Sequence, residues 1–385
     1  MTPFRMTYLC IVDWHWIKQR PQFLAEALSS RFEMDVLYPY RNDRRSMHTL
    51  DASKIAATPY FTLPTFGGRL RVVKRLNNEL CRAQVGRRIR RFSPDVLWLS
   101  HPSQFAFLPK GYRGLVVYDC MDDYMKIEPL VSQSKSILQE ENSLMRRVDV
   151  VFASSQHLLD LMEKRYPWAA NKLHLLRNGF DPSWKKEDKL HLLRNGFDPN
   201  WKKEEVRTES ASKPFKMGYF GTLGRWFDFP LMLHALERFP EMECHLYGPT
   251  EADVQPPKHA RLFCHGALPH EMIPHAAETM DALVMPFIPC DIVESVDPVK
   301  LYEYVFLHKR ILAVQYDEIL RFAPFVYFYQ GEQMFMNHLE MLLHRPPIGY
   351  SVEEAEQFLA QNDWRTRADA AASMVLQTMR SMKET

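Results

Sequence analysis

Short apolar runs alternate with longer stretches of helical periodicity along most of the chain. Met6–Val12, Met34–Tyr38, Asp95–Ser100, Leu115–Asp119, Val150–Ser154 and Lys172–Leu176 predict strands. Arg20–Ser30, Arg69–Phe92, Ser134–Arg147 and Gln156–Tyr166 predict the helices between them. Strand–helix alternation of this kind is the signature of a doubly wound parallel α/β domain. The pattern then restarts. Phe215–Phe220, Met242–Tyr247, Arg261–His265, Ala282–Pro286 and Arg310–Val314 predict a second set of strands. Pro230–Arg238, His270–Thr279, Pro298–Leu307 and Gln333–His344 predict the helices of that set. A last helical pattern runs from Val352 to Met382, with a break near Asn362-Asp-Trp364. Its apolar and polar faces fit an amphipathic helix lying across a surface. Two such domains in tandem place a ligand cleft between the carboxyl ends of their strands.

An exact join between the halves is obscured by a repeat. Lys172–Asp188 (KLHLLRNGFDPSWKKED) is followed at once by Lys189–Glu205 (KLHLLRNGFDPNWKKEE), with 15 of 17 positions identical. Two units are too few for a solenoid. One copy supplies the last strand of the first domain, ended by an Asn-Gly turn, and the other is an insertion in the linker. The sequence leaves open which copy is which. The expected division is 1–182 for the first domain, 183–212 for the linker, 213–350 for the second domain and 351–385 for a helix crossing back.

Bulk properties narrow the picture modestly. A chain of 385 residues, 46% hydrophobic and 25% charged, exceeds one typical core and reads as a globular protein. A net charge of +2 gives no global pull toward nucleic acid. No apolar run reaches the length of a membrane span, and the first apolar run is too short for a signal peptide. Cys10, Cys81, Cys120, Cys244, Cys264 and Cys290 are scattered, without a Cys-x-x-Cys pair. They read as free thiols, which points to a cytoplasmic location.

The most chemically informative segment is Asp297-Pro-Val-Lys-Leu-Tyr-Glu-Tyr304. Asp297 suits an N-cap and Pro298 the first helical position. Free backbone N–H groups and the positive end of the helix dipole favour an anion there. Lys300 and Glu303 are three apart and share a face. A cation and a carboxylate beside a helix start suit a ligand bearing phosphates and sugar hydroxyls, such as a nucleotide sugar. An ordinary capped surface helix with one salt bridge has the same pattern.

Together with other motifs, this segment resembles the donor-binding domain of GT-B glycosyltransferases, closest to the family 4 type of bacterial polysaccharide synthesis. The pieces run in order: Met217-Gly-Tyr-Phe-Gly221, Trp226-Phe-Asp228, His265-Gly-Ala-Leu-Pro269, Met280-Asp-Ala-Leu-Val-Met-Pro-Phe287, the Asp297–Tyr304 segment, and Asn362-Asp-Trp-Arg-Thr-Arg367. In the first half, Arg20-Pro-Gln22 and Tyr118-Asp-Cys-Met-Asp-Asp-Tyr124 also match. The resemblance implies the GT-B fold, two Rossmann-like domains facing a cleft. It implies a retaining, metal-independent transfer, with a UDP- or GDP-linked sugar as donor, a glycan or lipid-linked glycan as acceptor, and no separate cofactor. The family carries two glutamates separated by seven residues. Glu303 matches the second, which binds the nucleotide ribose. Ser295 stands at the first, with Glu294 one residue off. The donor set implied is Gly221, Thr222, Arg225, Glu294, Ser295, Val296, Asp297, Lys300 and Glu303, where Thr222 occupies the usual place of an arginine.

Charge stabilisation on the leaving phosphate is the main catalytic task of such a transfer. Lys300, Arg225, the Gly221 loop and the helix start are the candidates for it. Lys300 reads equally as a surface salt-bridge partner, Arg225 as a solvated loop arginine, and Gly221 as a plain strand-end turn. Asp119, Asp122 and Asp123 follow a strand with the spacing of a magnesium cluster. The resemblance favours acceptor contact or helix capping over a metal, with Asp119 on the acceptor side and Asp122 catalytic. His101 ends a strand on the cleft side, where it either orients a substrate or serves as a structural hydrogen bonder. Asp13, Trp14 and His15 follow strand one at the same edge, as a sugar-stacking loop or as simple packing. Arg69–Arg91 carries nine basic residues against Glu79 alone. It reads as a face for an anionic membrane at the inner side of the plasma membrane, or as a solvated charged helix. Nucleic acid is disfavoured because no aromatics are interleaved. A sugar-nucleotide epimerase and a non-catalytic glycan- or membrane-binding scaffold share the fold and stay open as alternatives.

Overall fold

The computed structural model describes residues 3–15, 18–40, 55–61, 71–127, 131–184, 214–251 and 253–384. Its first sheet has seven parallel strands in the order β3-β2-β1-β4-β5-β6-β7. These are β1 (Arg5–Leu9), β2 (Glu33–Pro39), β3 (Ala57–Tyr60), β4 (Val96–Leu99), β5 (Leu115–Cys120), β6 (Val150–Ala153) and β7 (Leu173–Leu175). Helices α1 (Arg20–Leu28), α2 (Arg71–Phe92), α3 (Val131–Arg147) and α4 (Gln156–Arg165) cross between them. The second sheet has six parallel strands in the order β10-β9-β8-β11-β12-β13. These are β8 (Phe215–Phe220), β9 (Met242–Tyr247), β10 (Leu262–Gly266), β11 (Ala282–Met285), β12 (Arg310–Val314) and β13 (Val326–Tyr329). Its main helices are α5 (Phe229–Arg238), α6 (Val299–Phe306) and α7 (Gly331–Leu343). Strands β4, β5, β6 and β11 are buried at every position, as expected for parallel strands covered on both faces. Each sheet has its own core, and the alternation read from the sequence is the alternation found. Strands β3 and β13 are additions, each four residues at a sheet edge.

The predicted C-terminal helix is two helices, α8 (Val352–Gln361) and α9 (Trp364–Glu384). The chain leaves β7, forms the bridge Phe180↔Asp363 with the segment joining α8 to α9, and so crosses between the domains twice at one place. Phe180 N–H donates to Asn362 O at 2.8 Å, and Trp364 N–H donates to Phe180 O at 3.0 Å. A Cβ on Gly179 would lie 2.9 Å from the backbone of Asp363, so only glycine permits this approach. Helix α9 then packs on α1, and Ala368, Ala371, Ala372 and Val375 join the core of the first sheet. The first copy of the repeat occupies β7 and this crossing, with Phe180 and Trp184 buried. The second copy, Lys189–Glu205, lies outside the described residues.

Candidate active site at the interdomain cleft

Helix α6 starts one residue later than the sequence predicts, and Asp297 does not cap it. Pro298 occupies the N-cap position in an extended conformation, with no side-chain cap. The Asp297 side chain turns inward instead and is 1% exposed. It accepts from Asn178 N–H at 2.7 Å and from Tyr302 O–H at 3.2 Å, and it pairs with Arg321. Three good donors in the interior outcompete a cap at the helix edge. Asp297 is therefore a domain-joining carboxylate, because Asn178 lies just past the first domain's last strand.

Lys300, the second residue of α6, faces β8. Its ammonium lies over the rings of Phe287 and Tyr219, at 4.9 and 5.6 Å from their centroids. Lys300 is half-buried. Burial holds it down to about 8, and the nearby Glu303 carboxylate offsets this only partly. No described carboxylate comes within ion-pair distance of it. A Cβ on Gly221 would stand 3.0 Å from Lys300 Cε, so the glycine is what lets the lysine lie along the strand end. Gly221 has φ +151° and Gly248, at the end of β9, has φ +147°. A Cβ on Gly248 would fall 1.9 Å from Gly221 O, which locks the two loop ends together. The sequence carried the signal for Gly248 in Tyr247-Gly-Pro249, a glycine directly after a strand. Thr222 contributes its carbonyl, which accepts from Tyr219 O–H at 2.9 Å. Tyr304 holds the strand end from below, accepting from Phe220 N–H at 3.0 Å.

Glu303 is 8% exposed and shares a hydrogen bond of 2.8 Å with His270 Nε2. His270 was not foreseen as its partner, since 33 residues separate them. Ser295 is buried, donating to Ile292 O at 2.7 Å while its own carbonyl accepts from Ser155 O–H at 2.6 Å. Its side chain is thus committed to its own turn. Val296 offers its carbonyl to Tyr316 O–H at 3.1 Å. Glu294 is exposed on the one-turn helix Asp291–Glu294. Arg225 is also exposed and pairs with Asp253, so the structure gives it a partner other than a ligand.

On the opposite rim the carboxylates after β5 are held by arginines. Asp119 is fully buried and receives Arg20 through Nη2 at 2.6 Å and Nε at 3.1 Å. An acceptor-side role with an open carboxylate does not fit that contact. Asp123 pairs with Arg165 at 3.2 Å, and Arg165 also holds the buried Glu141 at 2.7 Å. With two of three carboxylates occupied by guanidinium groups, the predicted cluster is an ion-pair network. Asp122 differs. Burial pushes it up to about 6, and the repulsion of Asp119 and Asp123 opposes the pull of Arg20. It keeps partial exposure and is the carboxylate on this rim poised to titrate near neutrality. His101 caps the turn Pro102–Phe107, its Nδ1 accepting from Ser103 N–H at 3.1 Å, and its ring meets Tyr124 edge-on at 4.3 Å. Asp13 is buried and accepts from His15 N–H at 3.1 Å, while His15 meets Tyr38 edge-on at 5.6 Å. Trp14 is 3% exposed and packs in the core, which removes it as a sugar platform.

Arg20 also links the two rims. Its Nη1 donates to Asn178 Oδ1 at 3.0 Å, and Asn178 donates to Asp297. The chain continues through Arg321 to Glu318, which also holds Arg177 at 2.7 Å. A separate groove of 480 Å³ lies on the outer face beside α2, lined by Arg82, Phe105, Lys110 and Tyr112 among others. None of the predicted donor, catalytic or acceptor residues lines it.

Residues 22–184 match the Glycosyltransferase Family 4 domain. A proposed teichuronic acid biosynthesis glycosyltransferase, TuaH of Bacillus subtilis, is 23% identical over 248 residues, which is 60% of this chain and 59% of that protein. The match thus spans less than two thirds of the relative's length. A glycosyltransferase from Rickettsia africae superposes with a TM-score of 0.67 at 10% identity, covering 98% of this chain and 99% of that one. HepE of Anabaena, solved with UDP-glucose, superposes with a TM-score of 0.63 at 14% identity, covering 98% and 99%. At these identities the structural likeness establishes the fold.

Proposed function

We propose that the chain is a GT-B glycosyltransferase of the family 4 type and that it moves a sugar from a UDP- or GDP-linked donor to a glycan or lipid-linked glycan in cell-surface polysaccharide synthesis. The transfer retains anomeric configuration and uses no metal. The observation that carries this reading is Lys300, a half-buried ammonium against two aromatic rings with no described carboxylate in ion-pair reach. Such a site is electrostatically unfinished and is completed by an anion. A donor diphosphate supplies it. As the bond between the sugar and the phosphate breaks, negative charge grows on the leaving phosphate, and Lys300 and the first backbone N–H groups of α6 stand to receive it. Glu303 takes the ribose through Oε2, which has no hydrogen bond to a described residue. Across the cleft, Asp122 and His101 meet the acceptor hydroxyl.

Calorimetry with UDP and GDP tests the donor assignment. Glu303→Ala is expected to weaken nucleotide binding by about tenfold or more, with an unchanged unfolding midpoint. Equal affinity in wild type and variant overturns the assignment. Conversion of free nucleotide sugar without transfer would mark the epimerase reading instead. Binding with no chemistry would favour a scaffold, a reading that rests on the committed side chain of Ser295.

The membrane part of the proposal rests on α2. No helix among the described residues is long and apolar enough to cross a membrane. Helix α2 buries Asn77, Cys81, Val85 and Ile89 and leaves Leu76 and Leu80 exposed, with Arg75, Arg87, Arg90 and Arg91 turned outward. Arg88 is withdrawn from that set by its pair with Asp35 at 2.9 Å. Arg69 lies outside the described residues. Flotation with anionic vesicles is expected to exceed flotation with neutral ones, and equal flotation removes the membrane role.

A further inference from the structure

We infer that His270 is a positioning residue for Glu303, and that through it donor recognition depends on the first domain. The inference rests on the donor reading of Glu303. His270 follows β10, at the start of the turn His270–Met272, where its side chain does no capping. It is 8% exposed, as is Glu303. A buried carboxylate without a donor is costly, so the 2.8 Å contact decides which way Glu303 points. One oxygen is fixed on the imidazole, and the other is left for a ligand.

The imidazole is itself held from outside the donor domain. Phe23, on α1, meets it edge-on at 5.3 Å, and Trp184, past the crossing strand, packs on it at 4.6 Å. Phe23 stacks on Trp364 at 5.5 Å and lies under Lys18 Nζ at 4.6 Å. Lys18 in turn pairs with Glu26 at 3.0 Å and Asp181 at 3.3 Å. His270 is thus wedged where α1, the crossing strand and α6 meet. A ring there only to fill space would need no bond to Glu303. A ring there only to bond Glu303 would need no aromatic wall from the other domain. The combination means that Glu303 is aimed only while Phe23 stays seated.

Variants of the full chain test this, with UDP and GDP as calorimetric probes. His270→Leu is expected to lower nucleotide affinity about tenfold. His270→Gln, whose side-chain amide can still donate to Glu303, is expected to stay within about threefold of wild type. Phe23→Leu, remote from the nucleotide, is expected to weaken binding about two- to fivefold. In a Glu303→Ala background, His270→Leu should add nothing further, because it acts through that carboxylate. Wild-type affinity in folded His270→Leu, an equal loss in Gln and Leu, or additive losses with Glu303→Ala each overturn the inference. If His270→Leu does not fold, the Gln and Phe23 variants carry the test, and wild-type affinity in Phe23→Leu overturns the coupling. Failure of the donor reading is separately visible, as unchanged affinity in Glu303→Ala alone.

Discussion

On the first domain's rim, Asp119 and Asp123 are each met by an arginine, and Arg20 spans from Asp119 to Asn178. On the second domain's rim, Lys300 sits between aromatic rings beside Gly221, with no described carboxylate in ion-pair reach. The first arrangement is closed, since its charges cancel within the protein and its energy is spent on shape. The second is open, since its half-buried charge has no described carboxylate to compensate it. A buried pair is worth little against an apolar replacement but is costly to break halfway. A partly buried lone cation costs stability in the empty protein and repays it when an anion arrives. The lesson is that the most heavily charged rim is the scaffold, and the rim with one strained charge is the better candidate for chemistry.

Breaking the closed rim should show the largest effect. Arg20→Leu strands Asp119 in the core and cuts the link to Asn178, so it is expected to cost about 3–5 kcal/mol of stability. Urea denaturation measures this, and a loss below about 1 kcal/mol would mean that the network is dispensable. On the open rim, Lys300→Met is expected to lower transfer by about 100- to 1000-fold while raising stability at neutral pH, since it removes a cation that the fold disfavours. A pH titration sharpens the point. In the folded chain Lys300 lies near 8 rather than its ordinary 10.5. The unfolded chain therefore binds more protons between those values, and stability should rise across that window. Diphosphate affinity should move the opposite way, falling as pH climbs past about 8, and that fall should be missing in Lys300→Met. A slope that survives in the variant assigns the titration to another group.

The smallest effect belongs to Asp122, the one carboxylate of the closed rim whose charge is disfavoured. Its folded value of about 6 lies above its ordinary 3.8. The folded state binds more protons in that window, so stability falls as pH rises through it. Asp122→Asn is then expected to gain roughly 1–2 kcal/mol at pH 7, to gain nothing below about pH 4, and to lose transfer. Denaturation at the two pH values checks the sign, and a loss of stability at neutral pH contradicts it.

Strand–helix alternation made both sheets legible, because parallel strands covered on both faces are forced to be continuously apolar. The edge strands β3 and β13 escaped, being short and only partly covered. Gly221 and the Lys300–Glu303 spacing were readable because they are local. Asp297 was misread for the same reason. Its capping role was judged from neighbours in sequence, while Asn178 and Arg321, distant in sequence, decided its orientation. His270 as the partner of Glu303 and Arg20 as that of Asp119 depend on tertiary approach, which no local pattern encodes. The repeat could not be ordered from sequence because its copies differ at only two of 17 positions. The described fold places the first copy at the crossing.

The double crossing at Phe180 and Asp363 bears on the order in which the protein is built. Because α9 supplies Ala368, Ala371, Ala372 and Val375 to the first sheet's core, the first domain is discontinuous in the chain. The second sheet is contiguous, from β8 to β13. During synthesis the second domain can close on itself while the first still lacks a wall, so the usual N-to-C order of domain completion is reversed. Helix α9 then completes a domain whose strand β1 was made long before it.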